Sequence, residues 1–109
     1  MRLSFTESAL SDLDEIAEYI AQDHPNSAAS FVKELLAVCE RLTLAPMGYI
    51  AIGNANGRVI RMRPHKRYLI FYTVTDETVE VVHVLHGSRD YARILFPGEP
   101  DQQIDRTKD

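Results

Sequence analysis

Two segments of this chain are apolar at nearly every position, and this feature constrains the fold more than any other. Residues 68–74 contain one hydroxyl-bearing aliphatic residue, Thr73, and residues 79–85 are apolar apart from Glu80 and His83. A half-exposed antiparallel strand alternates apolar and polar side chains. Both segments therefore predict strands that are covered on both faces.

Two amphipathic helices are predicted before these strands. Thr6 is the expected N-cap of the first helix, with Glu7 in its first turn. The second helix is expected to start at Pro25, because proline disfavours helix at the residue before it and fits a first helical position. The apolar stripes recur at helical spacing, as Leu10, Leu13, Ile16, Ala17 and Ile20, then Ala28, Phe31, Val32, Leu35, Cys39 and Leu42. The short corner between the helices predicts an antiparallel hairpin.

The predicted element order is β-α-α-β-β-β. A short strand at residues 2–5 precedes the helices, and a loop is expected over residues 43–57. Strands then follow at Arg58–Arg63, Tyr68–Val74 and Val79–His86, separated by short turns. The expected class is α+β, with the helical hairpin packed on one face of a small, mainly antiparallel sheet. Residues 1–96 are expected to form one domain, and residues 97–109 a flexible polar tail.

One helical hairpin can bury only one face of such a sheet, so the second face needs another cover. An exposed apolar face of this kind is typical of an interface, which predicts a partner protein. The alternative is that the loop at residues 43–57, which carries Tyr49, Ile50 and Ile52, folds over this face.

The remaining composition argues against several classes of protein. Cys39 is the single cysteine and lies on an apolar helical stripe, which indicates an inert core residue and a reducing, cytoplasmic setting. No segment approaches the roughly 20 apolar residues of a membrane span. His83 and His86 lie three apart in a strand and point to opposite faces, so neither a metal site nor any cofactor is expected.

Charge is unevenly distributed along the chain, whose net charge is −4. Residues 1–57 carry three basic and eight acidic side chains, whereas residues 58–67 carry five basic side chains and no acidic one. A basic strip on an acidic body favours an anionic partner, although a solvated strand edge is the simpler interpretation. Arg61 and Arg63 share one side of their strand and could grip carboxylates or phosphates, or could equally be a solvated pair.

Residues 61–72 read RMRPHKRYLIFY and residues 79–90 read VEVVHVLHGSRD. Both segments resemble the central signature of the RelE/ParE superfamily of toxins from type II toxin–antitoxin systems. Residues 12–20, the corner at residues 23–25 and the helix exit at residues 46–48 are similar to the corresponding parts of that family. The resemblance covers about residues 2–91, and its nearest branch is the ParE-like, plasmid-stabilisation type.

The resemblance implies a toxin that is neutralised by direct binding of a small ParD-like antitoxin, in a hetero-oligomer. ParE-like members poison DNA gyrase, whereas RelE-like members cleave messenger RNA on the ribosome. A toxin-like protein that serves as a non-toxic interaction module is the third hypothesis. The residues expected to bind the antitoxin or the target are Arg58, Arg61, Arg63, Arg67, Tyr68, Tyr72, His86, Arg89 and Tyr91.

The ribonuclease hypothesis requires groups that activate the 2′-hydroxyl, stabilise the phosphorane and protonate the leaving oxygen. The candidates for this metal-independent chemistry are Arg61, His65, Lys66, His83 and Arg89. RelE-like enzymes carry lysines near the second helix and the loop after it, but residues 42–57 contain no lysine or arginine. Tyr91 is the only late tyrosine. These departures, together with the acidic balance, favour a gyrase-binding protein over an enzyme.

Overall fold

The computed structural model describes residues 1–98. Eight elements follow one another along the chain: β1 (Arg2–Phe5), α1 (Glu7–Asp23), α2 (Pro25–Leu42), β2 (Ala51–Ala55), β3 (Arg58–His65), β4 (Tyr68–Thr75), β5 (Thr78–His86) and α3 (Tyr91–Leu95). The predicted α+β class is confirmed. From residue 99 onward, the expected polar tail lies outside the described residues.

The five strands form one sheet in the order β1-β5-β4-β3-β2. The first strand, β1, therefore lies beside the last strand, β5, and these two strands are parallel. Every other neighbouring pair is antiparallel, as expected for strands joined by short turns. The predicted mainly antiparallel sheet is therefore correct.

The two helices of the hairpin begin at the residues that the sequence predicts. The Thr6 hydroxyl accepts a hydrogen bond from the Ala9 amide at 3.0 Å and caps α1, while it donates to the Val82 carbonyl at 2.8 Å. Pro25 occupies the first position of α2 and His24 forms the corner. The sequence placed Leu10 on the buried stripe of α1. In the structure Leu10 is half exposed and Ala9 is buried instead.

The hairpin covers one face of the sheet. Leu13 and Ile16 of α1 and Leu35 and Val38 of α2 lie in the same buried cluster as alternate side chains of the two central strands. The sheet contributes Tyr68, Ile70, Tyr72, Val79, Val81 and Val84 to this cluster. Burial of apolar area on this scale supplies most of the stability of a small domain.

The second face of the sheet is covered by the chain itself. Phe71 is fully buried and Leu85 is 4% exposed, because Leu95 of α3 packs against them and Phe96 lies at the edge of the same cluster. The prediction that a partner must cover this face was wrong. The alternative is right only in part, since residues 43–57 contribute just Ile52 and Ala55 to the cover.

The predicted loop at residues 43–57 contains a strand. Asn56 and Gly57 have φ angles of 54° and 79°, which suit a tight hairpin turn that joins β2 to β3. The loop is therefore shorter than predicted and comprises only residues 43–50. No helix of residues 1–98 is long and apolar enough to cross a membrane.

A substitution at Gly53 tests how closely Phe96 packs on the second face of the sheet. A Cβ atom at this position would lie 2.6 Å from Cζ of Phe96, so Gly53→Ala forces the ring away from the sheet. We expect the free energy of unfolding, measured by urea denaturation, to fall by about 1–3 kcal/mol. The matched control is Gly98→Ala, because a Cβ there meets no atom within 4 Å. In a Phe96→Ala background the Gly53→Ala cost should largely vanish, and an unchanged cost would contradict the packing.

Candidate functional site

Three of the predicted binding residues meet in one cleft. Tyr68 at the start of β4, His86 at the end of β5 and Arg89 just beyond it line an open cleft of about 450 Å³. The opposite wall is α1. The remaining lining residues are Asp12, Glu15, Ile16, Tyr19, Val84, Leu85 and Ser88. We call this the α1–β5 cleft.

Tyr68 forms the floor of the α1–β5 cleft. Its side chain is 9% exposed, and its ring meets the His86 imidazole edge-on at a centroid distance of 5.3 Å. Burial raises the pKa of Tyr68, and the nearby Tyr19 hydroxyl raises it further. No hydrogen bond of the Tyr68 hydroxyl is found among the described residues, so this group is accessible to a ligand as a donor and an acceptor.

His86 adds a second donor to the cleft. The Ser88 amide donates to Nδ1 of His86 at 3.1 Å, so in the neutral ring the proton is on Nε2. The Ser88 hydroxyl lies 2.8 Å from the same nitrogen. The exposed Arg89 guanidinium follows directly, so this wall of the cleft is rich in donors.

Asp12 organises the wall formed by α1. Its carboxylate oxygen accepts hydrogen bonds from the Val84 amide at 2.9 Å and from Nδ1 of His83 at 2.7 Å. Both acid and histidine are largely buried, with side-chain exposures of 13% and 20%. Asp12 thus ties α1 to the edge of β5 and fixes the orientation of the His83 ring.

The turn between β3 and β4 carries a separate charged cluster. Glu34 of α2 accepts hydrogen bonds from Nε2 of His65 at 2.5 Å and from Nζ of Lys66 at 2.8 Å. The hydrogen bond from Lys66 lowers the pKa of Glu34 most, and the hydrogen bond from His65 lowers it further. Phe31 stacks on His65 and lies under the Lys66 ammonium group, so this cluster joins α2 to the sheet.

Arg61 and Arg63 hold the loop at residues 43–50 in place. Nη1 of Arg61 donates to the Tyr49 carbonyl at 2.7 Å, and the Arg63 guanidinium lies over the Tyr49 ring at 5.2 Å. Arg63 also donates to the Pro64 carbonyl. The two arginines therefore share one side of β3, as the sequence predicts, but they contact their own loop and are neither a solvated pair nor a free clamp.

Tyr72 requires a correction. It is fully buried, and its hydroxyl donates to the Pro46 carbonyl at 2.6 Å, so it anchors the same loop from below and offers no surface to a partner. Burial raises the pKa of Tyr72. The sequence-based placement of Tyr72 among the binding residues does not agree with this position in the core.

The other predicted residues lie apart from the cleft. Arg58 pairs with Glu80 across the second face at 3.4 Å, and Arg67 is exposed in the turn after β3. Tyr91 packs on Phe71, with ring centroids 5.1 Å apart, and belongs to the cover of the second face. Cys39 is fully buried and burial raises the pKa of its thiol to about 11, which agrees with an inert core residue.

Two groups of functional candidates were missed from the sequence. Glu15, Tyr19 and Ser88 line the α1–β5 cleft, and the sequence offered no signal that singled them out. The loop at residues 43–50 exposes Leu44, Met47 and Ile50 by 84%, 62% and 66%. The apolar character of the loop was visible, but its outward orientation follows from the anchors beneath it.

The relatives of this chain agree with the fold. A family model described as "ParE toxin of type II toxin-antitoxin system, parDE" matches residues 3–91. The chain belongs to the ParE toxin family. The resemblance seen in residues 61–72 and 79–90 is thereby confirmed, and the chain is a type II toxin of the ParDE class.

Two further proteins are similar to this chain. A protein of Sinorhizobium fredii (strain NBRC 101917 / NGR234), named "Putative toxin Y4kP", is 29% identical over 101 residues, which cover 86% of this chain and 96% of that protein. A solved structure from the chromosomal ParDE toxin–antitoxin system of P. aeruginosa superposes with a TM-score of 0.67 at 19% identity. It covers 79% of this chain and 95% of the other, and shares its fold.

The Glu34 cluster gives a prediction for acid stability. Because the pKa of Glu34 is lowered in the folded chain, its stabilising contribution is complete above its ordinary pKa of 4.5 and is lost as the pH falls through the folded value. Glu34→Gln should therefore lower the free energy of unfolding near neutral pH, and its difference from the unmodified chain should shrink on acidification. Urea denaturation across an acid-to-neutral series measures this. Glu40→Gln, on the exposed side of α2, is the control. A Glu34→Gln deficit that is constant with pH would contradict the interpretation.

Proposed function

We propose that this chain arrests growth by binding DNA gyrase and that a ParD-like antitoxin silences it by direct binding, within a hetero-oligomer in the cytoplasm. The family assignment supports the general class of the proposal. The choice of gyrase, and of binding over catalysis, depends on the arrangement of the candidate catalytic side chains.

The observation that carries this choice is that the candidate catalytic groups do not converge. Among residues 1–98, His65 and Lys66 are both paired with Glu34, and His83 is paired with Asp12. Arg61 is engaged with the Tyr49 carbonyl, while Arg89 lies alone in the α1–β5 cleft. A metal-independent ribonuclease needs an acid, a base and a charge-stabilising group around one phosphate. This arrangement favours a protein that acts by its surface.

That surface includes a preformed apolar segment. The loop at residues 43–50 is held by the Tyr72 hydroxyl, by Arg61 and by the Met62 amide, which donates to the Ile50 carbonyl at 3.0 Å. Its exposed Leu44, Met47 and Ile50 are therefore held outward before any partner arrives. A preorganised segment loses less conformational entropy on binding, and exposed apolar side chains beside arginines are typical of protein interfaces.

The ribonuclease remains the second candidate because of one observation. The carboxylate of Asp12 orients the His83 ring through Nδ1, and a carboxylate in this position prepares a histidine to transfer protons at Nε2. No other candidate catalytic group among the described residues pairs with His83, which is why we rank this activity second.

Purified toxin added to gyrase and supercoiled DNA should produce accumulated cleaved complexes, and equimolar antitoxin should abolish them. His83→Gln separates the two candidates. If His83 transferred protons, this variant would lower messenger cleavage by about 100-fold or more. Under our proposal it leaves gyrase poisoning and growth arrest unchanged once the amounts of folded protein are matched.

The matched control is His24→Gln, which alters an exposed histidine at the hairpin corner. Codon-positioned cuts in ribosome-bound message, with gyrase unaffected, would refute gyrase binding in favour of the nuclease. Normal growth at confirmed levels of folded toxin, without antitoxin, would indicate a non-toxic interaction module and contradict both.

A further inference from the structure

Strand β5 extends beyond the strand that flanks it. β1 pairs with residues 78–81 of β5, whereas β5 continues to His86. Near this point the register with β4 shifts, since Phe71 pairs with His83 and Tyr72 pairs with Val81, which leaves Val82 as a bulge. The outer edge of residues 82–86 therefore has no neighbouring strand among the described residues.

Two backbone groups of this edge are already satisfied by side chains of the α1 region. Thr6 donates to the Val82 carbonyl and Asp12 accepts from the Val84 amide. These contacts do what a neighbouring strand would do, and they close the first half of the edge.

The second half of the edge remains open. The Gly87 amide donates to the Arg67 carbonyl at 2.8 Å, and Leu85 lies opposite Leu69, so residues 85 and 87 direct their backbone groups towards β4. Backbone groups alternate along an antiparallel strand. The Val84 carbonyl and the His86 amide therefore face outward into the α1–β5 cleft, and neither has a hydrogen-bond partner within residues 1–98.

The side chains beside this open edge complete a site. Tyr68 lies beneath it, nine-tenths buried, with its hydroxyl free of any partner in the described part of the chain. Ile16 adds apolar surface, and Arg89 provides a cation at the mouth. The Val84 carbonyl is an outward acceptor and the His86 amide is an outward donor. One residue of an extended peptide can bind both, because its own amide donates to Val84 and its own carbonyl accepts from His86.

We propose that the α1–β5 cleft binds an extended segment of the antitoxin as an added strand on Val84 and His86 of β5. One apolar side chain of that segment packs against Tyr68 and Ile16, and a carboxylate beside it pairs with Arg89. This inference rests on the proposed function, because it assigns a site to the antitoxin.

A peptide fits this site better than a nucleic acid does. The α1 wall carries the carboxylates of Asp12 and Glu15, which repel a phosphate backbone, whereas a peptide backbone is uncharged. Among residues 1–98, Arg89 is the only strongly basic side chain that lines the cleft, and a carboxylate of the occupant can pair with it. A short acidic protein supplies both features.

The first test measures antitoxin affinity by calorimetry with the full-length toxin and the ParD-like antitoxin encoded beside it. Arg89→Gln removes the charged partner, so we expect affinity to fall about tenfold or more and its salt dependence to weaken. Tyr68→Phe should lower affinity by a smaller factor while the fold is preserved. Arg41→Gln, an exposed arginine on α2, is the matched control and should bind normally.

The second test follows the added strand directly. On antitoxin binding, the His86 amide should become protected from hydrogen exchange, whereas the amide of Asn54 on the distant edge strand β2 should exchange at its original rate. Protection of His86 together with weaker binding of Arg89→Gln supports the inference. Strong binding by Arg89→Gln with His86 unprotected overturns it and leaves the proposed function intact.

Two other outcomes are equally informative. If the antitoxin does not bind the unmodified toxin, both the inference and the proposed neutralisation fail. If Arg89→Gln weakens gyrase poisoning but not antitoxin binding, the cleft belongs to the cellular target and the assignment to the antitoxin is overturned.

Discussion

The burial of β4 and β5 on both faces is the constraint on which the rest of the structure depends. A domain of this size can bury only a modest core, so few elements are available to cover the two faces. The helical hairpin covers one face, and α3 with Phe96 covers the other. The close approach of Phe96 to Gly53 shows how tightly the second cover is seated. Since residues 1–98 complete this core themselves, the surfaces left for a partner on this part of the chain are the edges and loops.

Two edges of the sheet accordingly carry the features that matter for binding. On one side, the buried Tyr72 hydroxyl and Arg61 donate hydrogen bonds to carbonyl groups of the loop at residues 43–50. These bonds hold the loop so that its apolar side chains point outward. On the other side, Asp12 substitutes for a strand beside β5, and the strand end remains open in the α1–β5 cleft. Polar groups that looked available for a partner in the sequence thus hold the surfaces on which a partner can bind.

The same distribution is the basis on which we propose binding rather than catalysis. Each candidate catalytic side chain except Arg89 is engaged in a contact that fastens one element to another, as Glu34 does for His65 and Lys66. These contacts fix the geometry of turns and helices, and the exposed Lys66–Glu34 pair adds only modest stability.

The sequence by itself determined the helical hairpin, the three central strands and the family. Apolar periodicity, the Thr6 cap and the corner at Pro25 are local signals, and local sequence decides them. The turn at Asn56 and Gly57 was also a local signal, and it would have predicted β2 had it been read as a hairpin. Tyr68, His86 and Arg89 come together in one cleft only through folding, and their role in binding stays a prediction.

Only the tertiary structure decided what covers the second face and which polar groups remain free. The five residues of α3 carry no period long enough to predict their docking site, and their position depends on the space beside Gly53. The pairing of Asp12 with His83 joins residues 71 positions apart, and no pattern in the sequence marks such a contact. Patterns along the chain reveal which surfaces are apolar, but hydrogen bonds between distant residues form only when the packed elements bring donor and acceptor within reach.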